Sequence, residues 1–196
     1  MNKNNLKKLL SSTLGTIGLG YKVVRGIDYQ TLSRYILKIN QHKDIDGILY
    51  EVSRCLKEIL DYEVFGFALK NNEILDIWID PRMHSTPFSE YIMQDFCGQN
   101  IDCSLHFFET KMQNKRHNSD LPDTSKLLSY KVIEGSNCAR LYILPGRRML
   151  HYHNSIISTI VDSLSIAVDN HLSMISLKNA AAIDPLTGCY NRRALD

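Results

Sequence analysis

The chain has 196 residues, of which 44% are hydrophobic and 22% charged, so it can bury one domain-sized core, and a two-domain enzyme is disfavoured. Its formal net charge of +2 at pH 7 gives no overall attraction to polyanions, which disfavours a nucleic-acid-binding protein. The five cysteines have no paired spacing, which predicts reduced thiols and no disulfide framework.

The first 27 residues contain only basic charged side chains, beginning with Lys3 and ending with Arg25. The uncharged run from Leu9 to Tyr21 is shorter than the ~20 residues of a membrane-spanning helix, and no convincing signal-peptidase site follows it. We expect residues 1–27 to be a solvated basic arm without membrane contact, the alternative being attachment to an anionic membrane or another subunit. The unconvincing signal peptide and the expected reduced cysteines together favour a cytoplasmic protein.

Two helices are predicted after the basic arm. Leu32, Ile36 and Ile39 recur at i, i+4 and i+7, the spacing of an apolar stripe on a helix of about three turns. Asp44 stands at the N-cap of a second helix, whose apolar residues repeat every three or four positions as far as Asp61. Each helix therefore has one apolar face.

Two β-hairpins are also predicted. The runs 64–69 and 74–79 are joined through an Asn-Asn pair, which tolerates the positive φ of a tight turn, and the runs 127–133 and 139–144 flank a Gly-Ser-Asn loop. Between the hairpins, Thr86 followed by proline predicts the N-cap of a short helix. A short strand and a polar loop complete this irregular segment.

One long helical pattern without internal glycine or proline extends from about Met149 to Ile183. Its first half is expected to cover the sheet, and its second half to project and pair with a second copy of the chain, giving a homodimer through terminal helices. His171 and Lys178 interrupt the heptad-like seam, and we expect them to weaken that pairing. The apolar seam positions are Ile157, Val161, Leu164, Val168, Ile175 and Ala182.

A ten-residue junction motif follows the long helix: Asp184-Pro185-Leu186-Thr187-Gly188-Cys189-Tyr190-Asn191-Arg192-Arg193. It closely resembles D-x-L-T-G-L-x-N-R-R, the motif with which GGDEF domains of diguanylate cyclases begin, with Cys189 in place of leucine. The resemblance implies that Asp184 and one of the two arginines clasp the junction between the helix and a catalytic domain. An ordinary helix–turn–helix boundary with a solvated arginine pair is the alternative.

The sequence contains no adjacent Gly-Gly, so the GGDEF active-site turn and its metal-binding carboxylates would lie beyond Asp196. By this resemblance, residues 184–196 are the start of a truncated GGDEF domain, and the segment is not itself an enzyme and holds no metal or cofactor. The parent protein would be a diguanylate cyclase that uses Mg²⁺ and GTP. A degenerate output domain, which would make the parent a c-di-GMP receptor, stays open.

Residues 28–150 resemble a GAF sensor domain in the order and size of their elements and in their position before the junction motif. Residues 151–183 form the helix that leaves such a domain. The resemblance implies an α+β fold: an antiparallel sheet with flanking helices, a pocket on the face opposite the helices, and a long C-terminal signalling helix. A PAS domain is the alternative.

A ligand pocket in this domain is expected to draw its lining from both hairpins and the crossover helix. The start of that helix, near Thr86, would offer backbone N–H groups to a phosphate, which favours a cyclic nucleotide such as cAMP or cGMP. The Asn-Lys and Phe-x-x-x-Asp-Glu pattern of cyclic-nucleotide-binding GAF domains is not reproduced. The candidate lining residues are Phe65, Phe67, Trp78, His84, Thr86, Phe88, Tyr91, Phe96 and Tyr142.

The sequence therefore predicts a ligand-sensing and dimerisation module that controls a diguanylate cyclase, which joins two GTP molecules into c-di-GMP. A ligand would act through its differential affinity for two arrangements of the signalling helix. A structural dimerisation module without a ligand is the alternative function.

Overall fold

The computed structural model describes residues 29–71, 74–96, 102–107 and 123–182. The predicted basic arm, the first hairpin turn and the junction motif lie outside these ranges. The described elements are α1 (Tyr29–Gln41), α2 (Ile45–Leu60), β1 (Val64–Asn71), β2 (Ile74–Asp80), α3 (Ser85–Asp95), β3 (Asp102–Phe107), β4 (Leu128–Ile133), β5 (Cys138–Leu144) and α4 (His151–Ala182), with short 3-10 helices at Arg82–His84 and Thr124–Lys126.

Helix α2 has the boundaries that its sequence predicts. Asp44 caps its N-terminus by accepting a hydrogen bond on Oδ1 from the backbone N of Gly47, at 2.7 Å. Asp61 ends it in the left-handed conformation, at φ 48°, and its N–H donates to the carbonyl of Lys57. In α1 the most deeply buried side chains are Tyr35 and Ile39.

The sheet has the strand order β3-β2-β1-β5-β4. The two predicted hairpins are present as the antiparallel pairs β1–β2 and β4–β5, and β1 also pairs antiparallel with β5. Strand β3 runs parallel to β2, so the sheet is mixed rather than wholly antiparallel as predicted. A parallel neighbour requires a crossover connection, and α3 lies in that connection.

The alternation of side chains along the strands creates two separate cores. On one face, which we call the three-helix face, Phe65, Phe67 and Leu141 pack with buried residues of α1, α2 and α4. On the other face, the α3 face, the sheet residues pack with Phe88 and Ile92 of α3. The α+β class with flanking helices is thereby confirmed, although the helices cover both faces of the sheet.

The long C-terminal helix is confirmed as α4, with 32 residues. Just before its first residue, the backbone N of Leu150 donates to Nδ1 of His153, at 3.1 Å. Burial, followed by the charge of Arg147, lowers the pKa of His153, so the neutral ring can accept this bond. The first half of α4 then packs on the three-helix face through Ile157, Ile160, Leu164, Ala167 and Val168.

Candidate functional site

The candidate lining residues lie on opposite faces of the sheet and cannot share one pocket. Phe65, Phe67 and Trp78 belong to the core of the three-helix face, whereas Phe88 and Tyr142 belong to the core of the α3 face. The prediction of one common lining is wrong, because these side chains point to opposite faces of the sheet. Residues directly opposite each other on antiparallel strands share a face, and Tyr142 lies opposite Gly66. Phe65 and Phe67 flank Gly66 on β1, so their side chains point to the other face.

Helix α3 is packed directly against the sheet. Phe88 and Ile92 are both fully buried there. Gly66 allows this close approach, because a Cβ at its position would lie only 3.3 Å from Cδ1 of Ile92 and 3.4 Å from Cβ of Tyr142. A ligand on the central part of this face would therefore have to displace α3.

A polar cluster lies at the C-terminal end of α3, on the same face. Oδ2 of Asp95 accepts hydrogen bonds from Nη1 of Arg140, at 2.5 Å, and from the hydroxyl of Tyr142, at 2.6 Å. The Arg140 guanidinium also lies over the ring of Phe96, at 5.2 Å, and Tyr91 meets Tyr142 edge-on at 6.4 Å. This Asp95 cluster therefore combines three predicted aromatic residues with two charged ones.

The charges in the Asp95 cluster stabilise one another. Burial acts to raise the pKa of Asp95, but the hydrogen bonds from Tyr142 and Arg140 outweigh it and hold that pKa below its usual value. Burial and the bond to Asp95 raise the pKa of Tyr142, so the phenol stays protonated and donates. Nε of Arg140 is buried and has no hydrogen-bond partner within the described ranges. The cluster thus retains one donor that a polar ligand or a rearranged neighbour could satisfy.

Sequence reasoning missed Asp95 and Arg140, which are 45 positions apart. The available signal was on β5, where Arg140 and Tyr142 are two positions apart on a strand and therefore share a face. An arginine on the same strand face as a buried aromatic residue indicates a buried charge that needs a partner. The acidic partner could not be identified from the sequence.

Trp78, another candidate, already has partners around it. Its Nε1 donates to Oδ1 of Asp46, at 2.7 Å, and its ring stacks on His106 with centroids 4.6 Å apart. His106 in turn donates from Nε2 to Oδ1 of Asp76, at 2.8 Å. Trp78 is only 3% exposed and is therefore a core residue. From its place on β2 it contacts β3 through His106 and α2 through Asp46.

The start of α3 differs from the prediction. The helix begins at Ser85, after the 3-10 helix Arg82–His84, and its N-cap is His84, which makes no capping hydrogen bond through its side chain. Thr86 is exposed within the first turn instead of capping it. The predicted phosphate site at a Thr86 cap is therefore not formed as expected.

His171 marks the position on α4 beyond which the helix extends away from the domain. Nδ1 of His171 donates to the backbone carbonyl of Lys43, at 2.9 Å, in the connection between α1 and α2. This hydrogen bond gives His171 a contact with its own domain, while the interruption of a dimer seam by His171 stays a prediction. Beyond it, Ile175 is 38% and Leu177 71% exposed. These apolar side chains have no covering partner among the described residues.

No protein-family model matches the chain, and the searches of curated proteins and of solved structures also give no match. Within the described ranges, no helix has the length and apolar character needed to cross a membrane. The described residues also contain no group of three or more His, Cys, Asp or Glu side chains arranged to hold a metal ion.

Proposed function

We propose that this chain is the GAF-like sensory and dimerisation segment of a cytoplasmic diguanylate cyclase. One observation carries the proposal. The 32-residue helix α4 extends beyond its last deeply buried residue, Val168, and ends at Ala182, two positions before the first residue of the junction motif that resembles the start of a GGDEF domain. A helix in this position is suited to transmit a change in the domain to whatever follows it.

The proposed mechanism depends on the orientation of two such helices. A diguanylate cyclase joins two GTP molecules, one held by each of two catalytic domains, so the two domains must face each other. Pairing of two α4 helices along the predicted seam would bury Ile175, an apolar side chain that is 38% exposed in one chain. Magnesium and GTP are proposed only for the output domain.

The ligand is proposed to be a small molecule, with cAMP or cGMP as the first candidates, bound at the Asp95 cluster. Tyr91 is 38% exposed and Phe96 half-buried, so both offer aromatic surface beside Arg140. Because Phe88 and Ile92 fill the adjacent face, the ligand would have to bind a state in which α3 has shifted. It can favour that state only by its higher affinity for it.

A dimerisation module without a ligand is the second candidate function. The complete burial of Phe88 and Ile92 against the sheet favours it, since a sensor of this kind needs space on that face. In this case the chain would set the distance and orientation of two output domains and would not respond to a small molecule.

Helical-phase insertions would test the transmission through α4. The chain is joined through its junction motif to an active GGDEF domain, and alanines are inserted after Lys178. Two residues rotate everything beyond them by about 200°, whereas seven rotate it by about 700°, within about 20° of two full turns. We expect c-di-GMP synthesis to change by about tenfold with two alanines and to be nearly unchanged with seven. Equal effects of both insertions would contradict transmission through the helix.

A ligand panel would separate the two candidate functions. Thermal unfolding of the chain is measured with cAMP, cGMP, c-di-GMP and GTP. A ligand at 100 times its dissociation constant contributes about 2.7 kcal/mol, which raises the midpoint by roughly 5 °C or more for a chain of this size. A shift with one nucleotide that Arg140→Gln, in the Asp95 cluster, reduces supports the sensor. No shift with any of them supports the module without a ligand or a sensor of a compound other than a nucleotide.

A further inference from the structure

A basic cleft of about 270 Å³ lies between α1 and α2, apart from the Asp95 cluster. Three of its lining side chains are cationic, and they come from both helices. Arg34 and Lys38 belong to α1, and Arg54 belongs to α2. The remaining lining residues are Thr31, Tyr35 and Glu58.

The guanidinium of Arg54 is held in place by its neighbours. It lies 5.9 Å from the ring centre of Tyr35 and 5.8 Å from that of Tyr50, and its Nη1 is 3.3 Å from Oε1 of Glu51. A guanidinium fixed on two aromatic rings keeps its remaining N–H groups directed before any ligand arrives. Arg54 is therefore a pre-positioned donor at the wall of the cleft.

The other two cationic side chains, Arg34 and Lys38, keep N–H donors that form no hydrogen bond to another described residue. Arg34 is exposed and makes no ion pair or hydrogen bond to any other residue in the described part of the chain. Nζ of Lys38 lies 4.0 Å from Oε2 of Glu51, beyond hydrogen-bonding distance, and that buried oxygen has no hydrogen-bond partner within the described ranges. The ammonium group of Lys38 thus keeps its N–H donors for another acceptor.

The acidic side chains nearby do not cancel the positive charge. Among the side chains that the structure describes here, Glu51 and Glu58 oppose the three cations Arg34, Lys38 and Arg54, which leaves an excess of one positive charge. Glu58 is engaged by the hydroxyl of Tyr35, at 2.8 Å. Burial and this hydrogen bond raise the pKa of Tyr35 to about 12, so Tyr35 donates and adds no negative charge at neutral pH.

We propose that this basic cleft binds a phosphate group. The two guanidinium groups offer forked donors that match phosphate oxygens, and the Lys38 ammonium adds a compact charge beside them. A bound phosphate would join α1 to α2 by contacts to side chains of both helices. The source is either free inorganic phosphate or the phosphate of a nucleotide, which present the same group to the three cations.

Calorimetric titration at constant ionic strength would test the site, with inorganic phosphate in one arm and GMP in the other. We expect saturable binding of at least one of the two ligands, and the one that binds more tightly identifies the source of the phosphate group. Arg34→Gln should lower the affinity for that ligand by about tenfold or more, the effect of losing one charge-assisted hydrogen bond. Because Arg34 is exposed, the variant should fold normally, which thermal unfolding verifies.

The matched control is Lys131→Gln, which removes one positive charge on β4, where the side chain is 70% exposed and pairs with Glu134. It should leave the affinity unchanged. No saturable binding in either arm, or equal weakening by both variants, would overturn the proposal. Neither result would affect the proposed control of a cyclase, because the insertions in α4 do not involve this cleft.

Discussion

The two faces of the sheet are covered in different ways. The three-helix face is sealed by α1, α2 and α4, which also pack on one another, and its core extends from Tyr35 to Val168. The α3 face is covered by α3, of 11 residues, whose deeply buried apolar side chains are Phe88 and Ile92. Large cores open only with the whole domain, whereas small ones can open locally. We therefore expect the first face to contribute most of the stability of the domain, and the second to be the face that the proposed ligand would alter.

The largest predicted effect is on the three-helix face. Phe67→Ala should lower the free energy of unfolding by about 3–5 kcal/mol, because it removes a fully buried ring from the larger core. Urea unfolding measures this loss. The matched variant is Phe88→Ala, an equally buried ring on the α3 face.

We expect Phe88→Ala to cost less in global stability and instead to speed hydrogen exchange of the α3 amides, with those of β1 unchanged. A global loss as large as that of Phe67→Ala would mean that the two faces unfold together, and the contrast between them would be incorrect.

The Asp95 cluster should make α3 sensitive to acid. Asp95→Asn weakens the bonds to Arg140 and Tyr142 and should cost about 2 kcal/mol at neutral pH. Because the folded pKa of Asp95 is lowered, its contribution is complete above the unfolded value of about 4 and is lost as the pH falls through the folded value. The difference between the variant and the unmodified chain should therefore shrink in acid.

Thermal unfolding across that pH range measures the shrinking difference. Asp162→Asn is the control, since Asp162 is an exposed carboxylate on α4 and the change should leave the stability profile unaltered. A difference for Asp95→Asn that does not depend on pH would show that the carboxylate charge does not hold α3.

A smaller effect is expected where α3 meets the sheet. Gly66→Ala adds a methyl group 3.3 Å from Cδ1 of Ile92 and should cost about 1–2 kcal/mol. Ile92→Val removes that same Cδ1. The double variant should therefore lose less stability than the sum of the two single variants, as measured by a double-mutant cycle in urea. Strict additivity would mean that α3 adjusts freely at this contact.

The smallest effect concerns the point where α4 leaves the domain. His171→Leu removes the hydrogen bond to the carbonyl of Lys43 and should cost about 1 kcal/mol. His151→Leu, at the exposed first residue of α4, is the control and should have little effect. A gain in stability for His171→Leu would mean that this hydrogen bond does not stabilise the domain, and it would favour the prediction that His171 weakens helix pairing.

The sequence predicts much of this fold because the signals are local. The Asp44 cap, the two hairpins and the long helix α4 each depend on neighbouring residues. Three features could not be predicted in this way: the parallel pairing of β3, the division of the aromatic residues between two faces, and the Asp95–Arg140 pair. Each depends on register or on contact between distant segments, which hydrophobic periodicity does not specify.

The length of α4 beyond His171 has a mechanical consequence. The 11 residues from there to Ala182 correspond to about 17 Å of helix. If this segment pivots at His171, a tilt of about 10° moves its far end sideways by about 3 Å. An adjustment no larger than a side-chain rearrangement next to Lys43 would thus be geometrically amplified before it reached the junction motif. Bending of this segment would reduce the movement that reaches the junction motif.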